Sequence, residues 1–357
     1  MPPLLSRLFP TPTFIAAPTV GLDFSDATMR FVRLAERRHG LMPVAFAEMS
    51  IPEGCMQSGR VVNERAFTNF LTDVRKKYKL SYVRVSIPES QVYSFTLPLD
   101  VAAKEDLRGA IELVLEENIP LRAVETVFDY EVLFENETTI VVQVMAVSEV
   151  VAQSYFGCFN NAGLIPVSFE LDGQAIARAV LKPGDPDSAM IVDFGAHRSS
   201  ITIVTNGTAV YTSTLEFGGE TLIDSLAKEL AIDTPEAGRL MREFGLSTIG
   251  EHKDIFSSLI GGISILKDEI NRRYVYWHER KDQYGALPNI KTIYLCGGNS
   301  NINGICDYLS VMLKLTVIQA NPWVNCMSFE HAIPELPRAA AMSYVTAIGL
   351  ALADYHD

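Results

Sequence analysis

The chain has 357 residues, 48% of them hydrophobic and 20% charged, with a formal net charge of -13. That length and balance support a large core divided between two lobes. The acidic surface argues against nucleic acid, which is bound by Lys and Arg neutralising phosphates, and against direct adhesion to an anionic membrane leaflet.

Residues 1–18 are interrupted by prolines and lack the unbroken apolar core of a signal peptide, so they read as an N-terminal tail. Val20-Gly-Leu-Asp23 is an apolar strand ending in Asp. Residues 28–33 and 44–51 follow as strands around a polar turn at Arg37-Arg38-His39-Gly40, which reads as a hairpin tip. A helix is expected over 67–77 and a strand over 83–87. Residues 100–148 read as an inserted α+β module, with a helix over 101–118 and strands over 128–133 and 140–147. The opening pattern then recurs. Met190-Ile-Val-Asp193 is a second apolar strand ending in Asp, and Asn206-Gly207 joins strands 201–204 and 209–213 as a tight hairpin. Helices are expected over 220–230, 263–277 and 303–313, with a strand over 292–295. The apolar stretch 339–353 is shorter than the roughly 20 residues of a spanning helix and reads as a buried core helix. Two meanders, each opening on a strand that ends in Asp, suggest a duplicated α/β unit around a cleft; two unrelated α/β domains would give the same pattern.

Three small-residue turns could carry chemistry. They are Gly21-Leu-Asp23-Phe-Ser25-Asp26-Ala-Thr28, Val192-Asp193-Phe-Gly195-Ala196-His197-Arg198-Ser199, and Leu295-Cys-Gly297-Gly298-Asn299-Ser300. Small residues let backbone N–H groups approach phosphate oxygens, and an Asp at a strand end can hold hydrated Mg²⁺. Cys55, Cys158, Cys296, Cys306 and Cys326 form no CxxC pair and read as buried thiols of a reducing compartment. No Ser/His/Asp triad or metal-ligand cluster is recognisable. Tyr274, Tyr276 and Trp277 cannot share one helix face, so core packing is expected of some and stacking on a base of at most one.

The order of these turns resembles the two phosphate motifs and the adenosine motif of the actin, sugar-kinase and heat-shock-chaperone superfamily. Within it, the chain resembles the PilM family of type IV pilus assembly proteins. The resemblance is carried by Glu105-Asp-Leu-Arg-Gly-Ala-Ile-Glu, Glu117-Asn-Ile-Pro-Leu, Phe128-Asp-Tyr-Glu-Val-Leu, Asn161-Ala-Gly-Leu-Ile-Pro, Gln174-Ala-Ile-Ala-Arg-Ala, Phe217-Gly-Gly-Glu-Thr-Leu, Glu269-Ile-Asn-Arg, Ala320-Asn-Pro and Ala347-Ile-Gly-Leu-Ala. It implies an α/β, duplicated actin-like (ribonuclease H-like) two-lobe fold with an inserted small α+β subdomain. The first lobe would span 19–187 with the insert at about 99–149. The second would span 188–337 with a smaller subdomain at about 222–288, and 338–357 would return to the first lobe as a helix.

The resemblance also implies ATP and Mg as cofactors. Asp23 and Asp193 would hold the metal. Ser25, Asp26 and Thr28, with Gly195, Ala196, His197, Arg198 and Ser199, would face the phosphates. Gly218, Gly219 and Glu220, with Glu269, Arg272 and Arg273, would border the nucleoside, and Gly297, Gly298 and Asn299 would pass under it. Ser25-Asp26 and Arg273 depart from the family pattern. A phosphate about 4 Å from Asp26 would be repelled by about 4 kcal/mol at an effective dielectric of 20, before screening.

The function implied is a cytoplasmic ATP-binding scaffold, at most a slow ATPase. It would sit at the inner membrane only through partners and bind the N-terminal cytoplasmic tail of a PilN-like protein between the insert and the first lobe. The resemblance leaves room for contacts with pilus motor ATPases and for a homo-oligomer. The alternatives are a filament-forming division protein like FtsA, disfavoured because the chain stops at Asp357 without a membrane helix, and a small-molecule kinase.

Overall fold

The computed structural model describes residues 19–246, 253–280 and 288–356. Two five-stranded sheets follow one plan. In the first, β1 (Val20–Phe24), β2 (Thr28–Arg37) and β3 (Gly40–Ser50) form an antiparallel meander, and β6 (Tyr82–Ile87) and β10 (Ile165–Leu171) add in parallel, giving β10-β6-β1-β2-β3. In the second, β11 (Ser188–Phe194), β12 (Ser199–Thr205) and β13 (Thr208–Leu215) repeat the meander. There β14 (Ile290–Cys296) and β15 (Thr316–Gln319) are the parallel pair, giving β13-β12-β11-β14-β15. The matching orders support duplication over two unrelated domains. Asn206 (φ 52°) and Gly207 (φ 82°) adopt the paired positive φ of the expected hairpin. The short strands β4 (Met56–Gln57) and β5 (Arg60–Val61) form a ribbon beside the first sheet.

Helices α1 (Glu64–Tyr78) and α3 (Glu149–Asn161) cover one face of the first sheet, over a core containing Phe24, Phe67, Tyr155 and Phe159. In the second lobe, α5 (Gly219–Leu230), α6 (Thr234–Phe244) and α7 (Lys253–Arg280) pack over Phe194, Ile263 and Leu295, and α8 (Ile305–Leu313) joins that core. Between the sheets lie α4 (Asp172–Val180) and α10 (Val345–His356), with Val32 and Leu34 from one lobe and Ile191 and Cys296 from the other. These helices cross so closely that a Cβ on Gly349 would stand 1.7 Å from the Ala175 carbonyl oxygen. Only glycine allows that approach, and it locks the returning helix against the centre of the molecule.

The inserted sheet, β7-β9-β8, is built from β7 (Val92–Asp100), β8 (Thr126–Glu135) and β9 (Thr139–Ser148) over α2 (Leu107–Asn118). It starts upstream of the expected boundary near 99, because β7 pairs with β9 from Val92↔Val147 to Asp100↔Thr139. Residues Val101–Asp106 form a 3-10 turn instead of the first turns of the expected helix. Asp106 then caps α2, accepting from the Gly109 N–H at 2.9 Å. The stretch 339–353 is not one helix either: α9 (Arg338–Ala341) passes through a 3-10 turn, Met342–Tyr344, into α10. The N-terminal tail lies outside the described residues. No described helix is long and apolar enough to cross a membrane.

Candidate nucleotide cleft and peptide groove

Because both sheets begin with a strand ending in Asp, the fold brings Asp23 and Asp193 to the floor of one interlobe cleft of about 360 Å³. The rest of its wall comes from Gly195 and Ala196, Gly219 and Glu220 at the start of α5, and Gly297, Gly298 and Asn299 after β14. These are nine of the residues singled out from the sequence. Their contacts are specific. The Gly219 N–H donates to the Gly195 carbonyl at 3.0 Å and the Glu220 N–H to the Ala196 carbonyl at 2.9 Å. Asn299 Nδ2 donates to the Gly195 carbonyl at 2.6 Å. Gly297 has φ 81°, and a Cβ there would lie 2.3 Å from Asp193 Oδ1.

The other expected residues do not line the cleft. Ser25 closes its own turn, its Oγ accepting from the Thr28 N–H at 3.2 Å and lying 3.1 Å from Thr28 Oγ1. Asp26 accepts from the Ser58 and Gly59 N–H groups, each at 2.8 Å, and faces Arg198 across the lobes at 3.9 Å. Arg198 also pairs with Glu216 at 3.0 Å, and His197 lies 2.9 Å from Glu220. Ser199 is buried and donates to the Phe217 carbonyl at 2.6 Å, while Gly218 is the residue that caps α5. On α7, Glu269 is buried and ties Arg272 (2.7 Å) and Arg273 within the helix. The aromatics of α7 are elsewhere as well: Trp277 is buried in the core, Tyr276 packs on Tyr211 at 5.3 Å, and Tyr274 lies against His278 at 4.1 Å.

Several cleft residues went unnoticed in the sequence. Arg30 lines the cleft from β2, paired with Glu48 at 2.7 Å. Its signal was the two-residue period of that strand, which sets it on the same face as Thr28. Ile223, Met241 and Ile302 add apolar lining together with Arg242, and Met342, Ser343, Val345 and Thr346 line the cleft as well. Asp172 begins α4 directly after β10 and repeats the strand-then-Asp signature of Asp23 and Asp193.

These carboxylates share one electrostatic environment. Burial raises Asp23, against the pull of Arg30 and a hydrogen bond from Ser86 Oγ at 2.9 Å. Burial, with help from Asp23, pushes Asp193 up to about 6. Burial, then Asp23 and Glu89, holds Asp172 well above the usual carboxylate range. Burial raises Glu89 to about 7, although Thr214 Oγ1 of the second lobe donates to its Oε2 at 2.9 Å. Glu89 Oε1 and Asp172 Oδ1 are buried without a hydrogen-bond partner. Excess negative charge of this kind suits a ligand that brings a cation.

A second cavity, of about 410 Å³, lies between the inserted sheet and the first lobe. Val127, Phe128, Met145 and Val147 line it on one side, and Ala152, Tyr155, Phe169 and Leu171 on the other. Arg108 joins them, its guanidinium 4.5 Å from the Phe128 ring centre. Both β8 and β10 are edge strands.

Comparison with known proteins agrees with this architecture. The PilM-PilN type IV pilus biogenesis complex contains a chain that superposes with a TM-score of 0.76 at 19% identity, over 95% of this chain and 98% of that one. EutJ, an ethanolamine utilization protein from Carboxydothermus hydrogenoformans, gives 0.52 at 18%, over 96% and 91%. MreB5 of Spiroplasma citri, bound to ADP, gives 0.55 at 13%, over 93% and 95%. At these identities the likeness establishes the shared actin-like fold. The family profile described as type IV pilus assembly protein PilM matches residues 21–355. Nearly the whole described chain is therefore covered by one family, and the chain belongs to the PilM family of type IV pilus assembly proteins.

Proposed function

We propose that the chain is an ATP-binding scaffold of a type IV pilus inner-membrane platform, and that its groove holds the N-terminal cytoplasmic tail of a PilN-like protein. The observation that carries this reading is the apolar groove between the inserted sheet and the first lobe, bordered by edge strands. An extended peptide gains main-chain hydrogen bonds from a strand edge and specificity from side-chain pockets. The solved PilM-PilN complex supports a partner of this kind.

In the cleft, Asp23 and Asp193 would hold hydrated Mg²⁺, which keeps most of its waters and needs few carboxylates. The bound ion supplies positive charge to the phosphates. Arg30 adds a second positive charge, and Ile223, Met241 and Ile302 receive the base. Glu220, the wall residue nearest in kind to a water-activating base, is engaged by His197. Turnover is therefore slow, far below the roughly 10 per second of ordinary enzymes.

Calorimetry with a synthetic peptide of the partner's tail tests the groove. Val127→Asp alters an exposed groove position and should abolish peptide binding while leaving Mg-ATP binding intact. Unchanged peptide affinity in that variant would refute this location. Rapid phosphate release stimulated by a small-molecule acceptor would refute the scaffold.

A further inference from the structure

Charge is unevenly divided along this chain. Residues 28–84 carry eleven Lys and Arg against five Asp and Glu, whereas residues 92–148 of the insert carry three against eleven. Six of the cations gather at the end of the first lobe remote from the cleft. Asp23, at the cleft, pairs with Arg30, and Gly21 pairs with Val32, so Arg33 and Arg37 lie toward and beyond the start of β1. Arg33 donates to the Lys79 carbonyl at 3.3 Å, which joins β2 to the end of α1. Lys76 and Lys77 occupy the last turn of that helix, and Arg38 lies in the β2–β3 turn. All but Arg33 are exposed, and none of the six has a carboxylate partner among the described residues. Tyr82 and Ile165, paired at the start of β6 and β10, expose apolar surface at the same end.

The insert presents the complement. Strand β6 runs parallel to β1, with Leu22 beside Val85, so the insert joins the sheet at the Asp23 end, opposite the cations. On α2, Ile111 and Leu115 are buried against the inserted sheet, and the helical period sets Glu112, Leu113, Glu116 and Glu117 together on the outer side. Leu113 is 85% exposed. Glu112 and Glu117 have no cationic partner among the described residues. Val127, Met145 and Val147 line the groove on the other side of the inserted sheet, while Val142 and Val144 pack under α2. A peptide in the groove therefore leaves the outer side of α2 uncovered.

We propose that the cationic end of one copy of this chain docks on the acidic outer side of α2 in the next copy. The two surfaces are opposite in sign, and each carries exposed apolar side chains that the contact removes from water. They lie toward opposite ends of the first lobe, so one molecule does not satisfy its own. The contact is therefore heterologous and adds copies head to tail. The net charge of -13 opposes it only at a distance. Beyond a Debye length of about 10 Å at 0.1 M salt the repulsion between copies is screened, whereas groups in contact still attract. A basic partner would cover α2 and leave the cations bare, and a polyanion would do the reverse; a second copy covers both. The contact depends on neither the nucleotide nor the peptide assignment.

The test is sedimentation velocity of the full chain, without nucleotide or peptide, over a concentration series. The sedimenting mass should rise with concentration at about 0.1 M salt and fall back to the monomer at about 1 M, where the Debye length is about 3 Å. Turning one exposed pair from attraction to repulsion changes affinity about fivefold. Lys76→Glu with Lys77→Glu, or Glu112→Lys with Glu117→Lys, should therefore each weaken self-association about twentyfold. All four substitutions in one chain restore opposite signs and should regain at least about tenfold of that loss. Lys182→Glu with Lys228→Glu makes the same change in net charge elsewhere, and Val127→Asp alters the groove; both variants should associate as the parent does. Urea unfolding establishes that each variant is folded. The proposal is overturned by a parent chain that stays monomeric up to its solubility limit, or by equal losses from the Lys76 and Lys77 pair and the Lys182 and Lys228 pair. It is also overturned if the fourfold variant regains nothing, or if Val127→Asp abolishes the association.

Discussion

Glu89 offers the sharpest test of the electrostatics between the lobes. It follows β6 in the first lobe, yet its Oε2 accepts from Thr214 of the second, while its Oε1 is buried with no partner. Its pKa is raised from 4.5 to about 7, chiefly by burial. A raised carboxylate pKa means that the fold prefers the protonated form. The associated stability is present below pH 4.5 and is lost as pH rises through about 7. At 1.36 kcal/mol per pH unit, the ionised group destabilises the fold by up to about 3 kcal/mol at pH 8, and by about 1.4 kcal/mol at pH 5.5. Glu89→Gln keeps the size and the hydrogen-bond acceptor but cannot ionise. It should therefore stabilise the protein at pH 8 by about 1–3 kcal/mol, with less than half that gain at pH 5.5. Urea unfolding at the two pH values, followed through the buried Trp277 and Trp323, measures this. Lower stability of the variant at pH 8, or the same gain at both pH values, would refute the reasoning.

Asp193→Asn should lower Mg-ATP affinity at least tenfold, as calorimetry would report; retained affinity would remove Asp193 from the metal site. Because Asp193 titrates near 6, Mg-ATP binding by the parent should release protons at pH 6 and few at pH 8, seen as a dependence on buffer ionisation enthalpy. Gly297→Ala combines a φ of 81° with a Cβ pressed on Asp193. It should cost about 1–2 kcal/mol in urea unfolding and weaken nucleotide binding. Asp26→Ser removes the acceptor for two backbone N–H groups and should destabilise by about 1–3 kcal/mol. Its nucleotide affinity should change little, since Asp26 is turned to the 58–59 loop and Arg198 rather than to the cleft, whereas the sequence alone led to an expectation of repulsion. A tenfold tightening would restore that expectation.

The sequence by itself determined the two strand meanders and the turns that line the centre of the cleft, while the matching strand orders decided for duplication. Apolar strands ending in Asp23 and Asp193, the Asn206-Gly207 hairpin and the glycines at 297 and 298 are local signals, since period, turn chemistry and backbone freedom are written within a few residues. Tertiary structure decided which residues of each motif turn inward. Ser25, Asp26, His197, Arg198 and Ser199 belong to the right loops, but their side chains close turns, pair across lobes or fill strand contacts. Glu269 pairs with both Arg272 and Arg273 within a single helix. Conversely, Glu89, Asp172 and Arg242 come from three separate segments and meet the cleft region only after both sheets have packed on α4 and α10. The same holds for charge. A total of -13 is a property of composition, whereas the cationic end of the first lobe exists because β2 and the end of α1 are neighbours. Screening makes local placement, rather than the sum, the quantity a partner feels.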